Sequence, residues 1–424
     1  MSAATGAGRD RLAVRERDVH GEVVAEGDWT VSDAERAAAG RETVTARFTA
    51  LLPANRERAA RRYAAGDVPE GEEVARVWTR RDAATLTARL DRRTLAAWAD
   101  GDVLHVLWRG AADRAVLTGG IQLPLWPVDG APGLWEASAR VRRLEEAVIS
   151  LAVSAVGHGE TMQGCPPGEV VVFRGARAPA DAPHQPLAGE LHEHVLDSAA
   201  LRGARGVTVY LPPGAAGGGA RPLPGCVLAD GQSLPSFAPA LEAAMTAGAT
   251  PPAVLVGVHN AAGPGLGRPP RADLRALEYL ARRRSRRFTA HLSFVTEEVI
   301  PWAASRYGVA AAPWSAAGFS NGAAWAITAA QRQPDVFCAV AALSAGVVPH
   351  RVARGACQVR HYAAAGTLEP GFRRATGAWA ARLQRAGVPA VYREWAGGHD
   401  SWWWHTHLPL ALAWLLTPGG SLAR

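Results

Sequence analysis

Strand-like apolar runs alternate with helical stretches from about residue 190 onward, and this alternation constrains the fold more than any other feature. Strands and helices that alternate along a chain pack as a mostly parallel sheet with helices against it. The sequence therefore predicts a doubly wound α/β domain over residues 189–424. Its predicted strands are 192–196 and 206–211, taken as a pair of edge strands, then 226–228, 253–258, 361–365 and 391–395. Its predicted helices lie near 237–248, 287–307, 322–332 and 372–386.

The residues ahead of this domain follow other patterns. Residues 1–70 are rich in Ala, Arg and Glu with weak periodicity, which predicts irregular segments and short helices. Helical spacing over 71–100 then gives way to short strand-like runs separated by Asp-Gly and Pro-Gly turns. We interpret residues 71–160 as a small Ig-like β-sandwich. The Gly-, Pro- and Ala-rich residues 161–188 are predicted to form a linker.

The basic residues exclude several functions. All 46 are Arg, so the chain has no lysine for a Schiff base, a phosphate-binding loop or general-base catalysis. The formal net charge is +7, but the Arg residues are spread along the chain without a nucleic-acid-binding motif. We therefore expect no nucleic-acid partner. A basic site for an anionic small molecule remains compatible with this charge.

Cysteine usage and hydropathy indicate the kind of compartment. The four Cys, at 165, 226, 338 and 357, are too scattered for a disulfide framework or a metal cluster. No apolar run approaches the roughly 20 residues that a membrane helix needs, and the first 20 residues lack the apolar core of a signal peptide. We expect a cytoplasmic enzyme with no membrane partner, no metal and no cofactor.

The segment Gly318-Phe-Ser-Asn-Gly322 carries the main chemical signal. This G-x-S-x-G pattern precedes the helical run 323–330, as it does in a nucleophile elbow, where a sharp strand-to-helix turn exposes the serine. The two glycines are needed because the turn leaves no room for side chains. The pattern predicts that Ser320 is a nucleophile and that the backbone N–H of Asn321 points at a developing oxyanion.

A serine nucleophile needs a base and an acid. Gly397-Gly-His-Asp400 is a loop near the C-terminus, where this fold supplies its histidine, so His399 is the predicted base. Glu369 follows a strand pattern between the serine and the histidine and is the predicted acid; the alternative is a solvated side chain that caps the next helix. Asp400 adjoins the base and is badly placed to meet its ring. His405 and His407 are weaker candidates for the base.

The second oxyanion donor is expected in the loop after an early strand. Leu228-Ala-Asp-Gly-Gln232 is that loop, and the backbone N–H of Gly231 or Gln232 is the candidate donor. Asp230 would then support the turn.

These motifs, in this order, resemble the enterochelin (ferric-enterobactin) esterase family of esterase D-like α/β-hydrolases. The resemblance spans most of 190–415, and 104–153 is more loosely similar to the family's N-terminal sandwich. It implies that Ser320, His399 and Glu369 are nucleophile, base and acid, and that Arg275 lies near catecholate groups of the substrate. Ala323 stands where many relatives have a further Gly, and its methyl group narrows the approach to the elbow. The matching segments are 207–213, 228–232, 257–260, 275–280, 297–302, 318–322, 334–337, 366–370 and 397–400.

Three functional hypotheses follow. The first is a serine esterase that opens a catecholate trilactone siderophore, so that its partner is a small ester, with ferric siderophores among the candidates. The second is an esterase for carbohydrate or aromatic esters of the feruloyl type, with an N-terminal binding module. The third is a non-catalytic binding protein on a hydrolase scaffold. Under the first hypothesis, at least one of Trp402, Trp403 and Trp404 lines the acyl pocket, and the alternative is that all three serve packing.

Overall fold

The chain divides into two compact units. The computed structural model describes residues 9–17, 23–32, 74–76, 82–156, 170–181, 186–215, 222–261, 274–281 and 285–417. The first unit comprises Met1–Pro179 together with Ala396–Asp400, and the second comprises Ala180–Trp395 together with Ser401–Arg424. The predicted base, His399, thus belongs to a short segment that is grouped with the first unit.

Antiparallel strands form most of the described part of the first unit. Strands β1 and β2 form a two-stranded sheet, and β10-β9-β6-β7-β8-β5-β4 form a larger one in which β3 also pairs with β8. Helix α1 begins after Asp82, whose side chain accepts a hydrogen bond from Thr85 N, and it buries Leu86 and Leu90 one turn apart. The elements are β1 (Arg9–Arg17), β2 (Val23–Ser32), β3 (Val74–Arg76), α1 (Ala83–Leu90), β4 (Leu95–Asp100), β5 (Val103–Arg109), β6 (Arg114–Gly119), β7 (Pro124–Pro127), β8 (Leu134–Val141), β9 (Val148–Val156) and β10 (Val171–Arg174).

The first unit departs from the sequence prediction in three places. A hairpin, β1 with β2, lies within 1–70, where irregular segments and short helices were expected. Among the described residues of the stretch 71–100, only α1 is helical, because Leu95–Asp100 pairs along β5 as a strand. Strand β10 lies inside the predicted linker and pairs with β9. Strand pairing is a tertiary interaction, and it overrides weak local helix patterns. The Ig-like class of this unit stays a prediction.

The second unit contains one eight-stranded sheet in the order β11-β12-β14-β13-β15-β16-β17-β18. The pairs β11–β12 and β12–β14 are antiparallel and the other five are parallel. The mostly parallel sheet predicted for this region is present. The strands 192–196 and 206–211 were predicted as a pair of edge strands, but only β11 lies at the edge, because β12 also pairs with β14. The strands are β11 (Glu190–Ser198), β12 (Gly203–Leu211), β13 (Gly225–Ala229), β14 (Val254–Val258), β15 (Trp314–Phe319), β16 (Phe337–Leu343), β17 (Arg360–Gly366) and β18 (Ala390–Trp395).

Helices connect these strands, close to the predicted positions. A π-helical stretch, Phe294–Val299, joins α4 to α5 within the single helix predicted at 287–307. Helix α8 packs against α2, and α6 packs against α3. No helix in the described part of the chain is long and apolar enough to span a bilayer. The helices are α2 (Leu234–Thr246), α3 (Leu274–Tyr279), α4 (Arg286–Ser293), α5 (Ile300–Tyr307), α6 (Asn321–Arg332), α7 (Pro370–Arg385) and α8 (Ser401–Leu416).

Candidate active site

Polar residues follow four neighbouring parallel strands of the second unit at their carboxyl ends. Asp230 follows β13, Ser320 follows β15, Ser344 follows β16, and Glu369 lies just beyond β17. The carboxyl ends of parallel strands share one edge of a sheet, which is where open α/β sheets bind ligands. The order of the strands therefore brings these residues, from distant parts of the sequence, to one edge.

Ser320 occupies a strained turn between β15 and α6. Its backbone has φ 55° and ψ −124°, a conformation that a residue with a Cβ rarely adopts. Three hydrogen bonds hold the turn: Ser320 N donates to Leu343 O over 2.9 Å, and Ala323 N and Ala324 N donate to Ser320 O over 3.1 and 3.3 Å. The surrounding structure thus fixes a backbone geometry that local preference disfavours, and this is the geometry of a nucleophile elbow.

The two glycines of the motif are required by close backbone approach. A Cβ on Gly318 would lie 2.4 Å from the carbonyl carbon of Gly322. A Cβ on Gly322 would lie 3.0 Å from the Ala229 methyl group and 3.1 Å from Asp230 Oδ2. The first contact is with backbone and leaves no space for a methyl group. The elbow is therefore packed directly against the end of β13.

The predicted oxyanion donors lie at the starts of two helical turns. Asn321 is the first residue of α6, and Gly231 begins the 3₁₀ turn Gly231–Ser233. The first N–H groups of a helix have no partner within it and are available to an anion. Gly231 also packs closely against β14: a Cβ added at Gly231 would lie 2.0 Å from the carbonyl carbon of Gly257. The role of these N–H groups as donors stays a prediction.

Asp230, a residue of the predicted oxyanion loop, lies in a polar network. It is 2% exposed and has a left-handed backbone, with φ 60°. Arg275 donates to it twice, from Nε to Oδ1 over 2.7 Å and from Nη2 to Oδ2 over 2.6 Å. Asn260 Nδ2 donates to Oδ1 over 2.7 Å, and the backbone N–H of Asp230 donates to Tyr279 Oη over 2.9 Å. Arg275, predicted to face the substrate, is thus ion-paired with Asp230 in the structure.

Glu369 is buried at the carboxyl end of β17 and accepts two short hydrogen bonds. Ser344 Oγ and Gly366 N each donate to its Oε1 over 2.6 Å. Ser344 Oγ in turn accepts a hydrogen bond from Trp404 Nε1 over 2.9 Å. The side chain of Glu369 is therefore held by fixed donors rather than solvated at a helix start, although its role as the acid stays a prediction.

The loop that carries His399 is held by the sheet of the first unit, with which it is grouped. Asp400 Oδ2 accepts a hydrogen bond from Ser150 N of β9 over 2.6 Å, and Val148 N donates to Ala396 O over 3.3 Å. A Cβ on Gly398 would lie 1.8 Å from the carbonyl oxygen of Gly120, so glycine is required there. The carboxylate of Asp400 thus anchors the loop.

The two weaker histidine candidates lie in α8. His405 packs edge-to-face on Phe237, with centroids 4.2 Å apart, and its Nε2 is 3.1 Å from Ser236 Oγ. His407 is buried, and its Nδ1 is 2.9 Å from Tyr362 Oη. Burial lowers the pKa of His407 to about 4. A histidine that is neutral and buried, as His407 is, is typical of a core position.

The three consecutive tryptophans have different environments. Trp403 is 5% exposed and stacks on Trp395, and Trp404 is 8% exposed and stacks on Phe319 with centroids 4.5 Å apart. Trp402 is only half-buried, and its Nε1 donates to Asp181 Oδ1 over 2.6 Å. Trp403 and Trp404 thus serve packing, and Trp402 is the one of the three whose side chain is exposed enough to contact a ligand.

Sequence reasoning missed Ser344 and Tyr279. No strand was predicted at 337–343, although the apolar run Val340-Ala-Ala-Leu343 ending at a serine was the available signal. Tyr279 accepts a hydrogen bond from Asp230 N, and this contact depends on the packing of α3. Burial, reinforced by the nearby Asp230 carboxylate, raises the pKa of Tyr279 well above its usual value.

A mostly parallel sheet with a strained serine between a strand and a helix defines an α/β-hydrolase-like domain. The model of the Esterase family matches residues 198–415. The chain therefore belongs to the Esterase family. No curated protein sequence matches it at a significant level.

Solved structures with the same fold include enterobactin esterases. The enterobactin esterase of Shigella flexneri, solved in the presence of enterobactin, is 18% identical with a TM-score of 0.57, and the match covers 79% of this chain and 98% of that one. The ferric enterobactin esterase of Salmonella typhimurium is 18% identical with a TM-score of 0.54, covering 77% and 98%. At this identity the likeness establishes the fold alone.

Proposed function

We propose that the protein is a serine carboxylesterase that hydrolyses ester bonds of a catecholate siderophore of the trilactone type. The observation that carries the catalytic half of this proposal is the backbone of Ser320, at φ 55° and ψ −124° between β15 and α6. Such strain persists only where the surrounding structure imposes it, and it is concentrated at reactive residues. The membership of the Esterase family supports the same reaction class.

The proposed triad is Ser320, His399 and Glu369. His399 takes the proton of Ser320 as Oγ attacks the ester carbonyl carbon. The resulting oxyanion accepts hydrogen bonds from the backbone N–H of Asn321 and from that of Gly231 or Gln232. Collapse of the tetrahedral intermediate expels the alcohol, which takes the proton from His399, and leaves an acyl-enzyme. Water, deprotonated by His399, then attacks the acyl group and releases the hydroxy acid. Glu369 holds the ring of His399 and stabilises its charged form.

The substrate half of the proposal is supported by the extent of the structural likeness. The matches to enterobactin esterases cover 77–79% of this chain and 98% of theirs, which is more than residues 198–415 provide. The β-rich first unit is therefore part of the likeness, and we assign it as the Ig-like domain of the same kind of enzyme. In this proposal the enzyme acts in the cytoplasm, on an anionic siderophore that has been taken up.

Hydrolysis of four ester substrates tests the proposal. Purified full-length protein is incubated with ferric and iron-free enterobactin, with methyl ferulate and with p-nitrophenyl acetate, and products are quantified by chromatography. We expect opening of at least one trilactone and a kcat/KM for it well above that for methyl ferulate. Hydrolysis of p-nitrophenyl acetate with both trilactones intact would overturn the siderophore assignment and leave the esterase.

Active-site labelling tests the nucleophile separately. A fluorophosphonate probe should label the wild type and leave Ser320→Ala unlabelled. Ser320→Ala and His399→Ala should each lower kcat by several decades, and the double variant should lose little more than either, because the two residues act as a unit. An unlabelled wild type that hydrolyses none of the esters would indicate a binding protein on a hydrolase scaffold.

A further inference from the structure

Arg275, which is partly buried, forms an ion pair with the buried Asp230 of the predicted oxyanion loop. The side chain of Asp230 is 3% exposed and that of Arg275 is 22% exposed. The guanidinium donates two hydrogen bonds in a fork, over 2.7 and 2.6 Å, and its carbon lies 5.5 Å from the ring centroid of Tyr279. A fork of this kind is rigid, so it fixes the carboxylate and the backbone that carries it.

The carboxylate of Asp230 adjoins both arms of the predicted oxyanion hole. Asp230 immediately precedes Gly231 in the loop. On the other side, its Oδ2 lies 3.1 Å from where a Cβ of Gly322 would be, and Gly322 immediately follows Asn321. The negative charge is therefore next to both segments that would stabilise an oxyanion.

A buried carboxylate in this position would oppose catalysis if it were not compensated. Two negative charges in a low-dielectric region repel each other strongly, and the oxyanion of the tetrahedral intermediate would be the second of them. Arg275 supplies the compensating charge, and Asn260 Nδ2 and the Arg275 fork together occupy both carboxylate oxygens.

The same pair also fixes the shape of the loop. Asp230 has a left-handed backbone, at φ 60° and ψ 46°, which turns the chain from β13 into the Gly231–Ser233 turn. Arg275 and Tyr279 reach Asp230 from α3, one through the carboxylate and the other through the backbone N–H. Helix α3 thus clamps the residue that directs the Gly231 and Gln232 N–H groups.

We propose that Arg275 is a positioning residue, which neutralises Asp230 and holds the oxyanion loop in its active shape, rather than a contact for the acyl group of the substrate. This inference rests on the proposed function, because it concerns the oxyanion hole of the same reaction. A positioning role acts on every ester alike, since every ester forms an oxyanion. A substrate contact acts only on esters large enough to reach it.

Arg275→Met removes the charge and keeps the aliphatic stem. Its kcat should fall about 100-fold, on the scale of losing one oxyanion donor, and by the same factor for enterobactin and for p-nitrophenyl acetate, with KM little changed. Adding Asp230→Asn removes the uncompensated charge and should restore kcat about tenfold over Arg275→Met. Arg275→Lys keeps the charge without the fork and should fall between the wild type and Arg275→Met.

Arg205→Met is the matched control. Arg205 pairs with Glu278 of the same helix α3 through two hydrogen bonds of 2.9 and 2.7 Å, and that pair is also buried. The Arg205→Met substitution should lower the melting temperature while leaving the kcat of the folded enzyme within about threefold of the wild type. If Arg275→Met does not fold, Arg275→Lys is compared on the two esters instead.

The outcomes separate this inference from the proposed function. Equal losses of kcat on both esters, with recovery on adding Asp230→Asn, support the positioning role. A loss confined to enterobactin, or no recovery in the double variant, overturns it. If the wild type hydrolyses neither ester and is not labelled by the fluorophosphonate, the proposed function itself is overturned. If the wild type is active and Arg275→Met is equally active, only this inference is overturned.

Discussion

The hydroxyl group of Ser344 donates a 2.6 Å hydrogen bond to Oε1 of Glu369, and both side chains are buried. Trp404 Nε1 donates to the same hydroxyl oxygen over 2.9 Å, so the hydroxyl hydrogen is directed towards the carboxylate. Gly366 N donates to the same Oε1. One carboxylate oxygen of the proposed acid is thus fixed by two donors, and a chain of contacts connects it to α8.

Removal of the Ser344 hydroxyl should reduce turnover. Ser344→Ala leaves the buried Glu369 with one donor fewer, and we expect kcat to fall about tenfold with KM little changed, because only the orientation of the proposed acid is affected. Steady-state kinetics on p-nitrophenyl acetate measure this effect. The pH dependence of kcat/KM should also change, which a purely structural defect would not produce.

Backbone strain at Ser344 calls for a matched variant. Its φ is 56°, a conformation that glycine adopts without cost. Ser344→Gly therefore removes the hydroxyl without keeping the strain, and it should lose as much kcat as Ser344→Ala. A fully active Ser344→Gly would show that the hydroxyl group does not matter.

The elbow glycine should tolerate no substitution. In Gly318→Ala the new methyl group would lie 2.4 Å from the backbone of Gly322, so the strand and the helix would have to separate. We expect a loss of more than about 3 kcal/mol in the free energy of unfolding, together with the loss of fluorophosphonate labelling. Chemical denaturation followed by tryptophan fluorescence measures the first quantity.

Gly371 supplies the control for this substitution. It lies in α7, and a Cβ there would have no heavy atom within 4 Å. Gly371→Ala should be neutral or stabilise the protein by up to about 1 kcal/mol, since alanine favours a helix. Equal effects at the two glycines would contradict the steric account of the elbow.

The tryptophans of α8 should separate into packing and binding positions. Trp402→Ala, at the half-buried position, should lower kcat/KM for a catecholate ester about tenfold, roughly 1.4 kcal/mol, and leave p-nitrophenyl acetate hydrolysis nearly unchanged. Trp403→Ala should instead cost about 3–5 kcal/mol of stability, because the ring is buried against Trp395. Parallel loss of both activities and of melting temperature in Trp402→Ala would assign it to packing.

Buried histidine should make the protein sensitive to acid. His361 is fully buried against Trp379, and neither ring nitrogen has a hydrogen-bond partner in the described part of the chain. Burial lowers the pKa of His361 to about 3. In the unfolded chain the pKa is about 6.5, so between these values the unfolded state binds one more proton and stability falls as the pH falls.

A variant without this group should lose part of that dependence. Replacement of His361 by Leu should lower the slope of unfolding free energy against pH by about 1.4 kcal/mol per pH unit between about pH 4 and 6. Above about pH 7.5 the two slopes should coincide, which provides an internal control. Denaturant titrations across this range measure both, and identical slopes at low pH would contradict the assignment.

Local patterns in the sequence were sufficient to predict the mostly parallel sheet of the second unit and the place of Ser320 between a strand and a helix. The alternation of strands and helices, with the Gly-Phe-Ser-Asn-Gly elbow at 318–322, predicted a mostly parallel sheet and a serine between a strand and a helix. Both signals act within a few residues, through hydrophobic periodicity and through the steric demand of a sharp turn. The same reasoning underestimated β1, β2 and β10, because strand pairing depends on partners that lie elsewhere in the chain.

The environment of each predicted residue was decided only by the tertiary structure. The sequence singled out Arg275, but the packing of α3 determines that it pairs with Asp230. It singled out three tryptophans, but the helical rotation of α8 buries two and leaves Trp402 half-exposed. Ser344 carried no motif at all, and it joins the candidate site through its hydrogen bond to Glu369 across neighbouring strand ends. Such contacts depend on strand order and helix packing, which bring together residues that no local pattern connects.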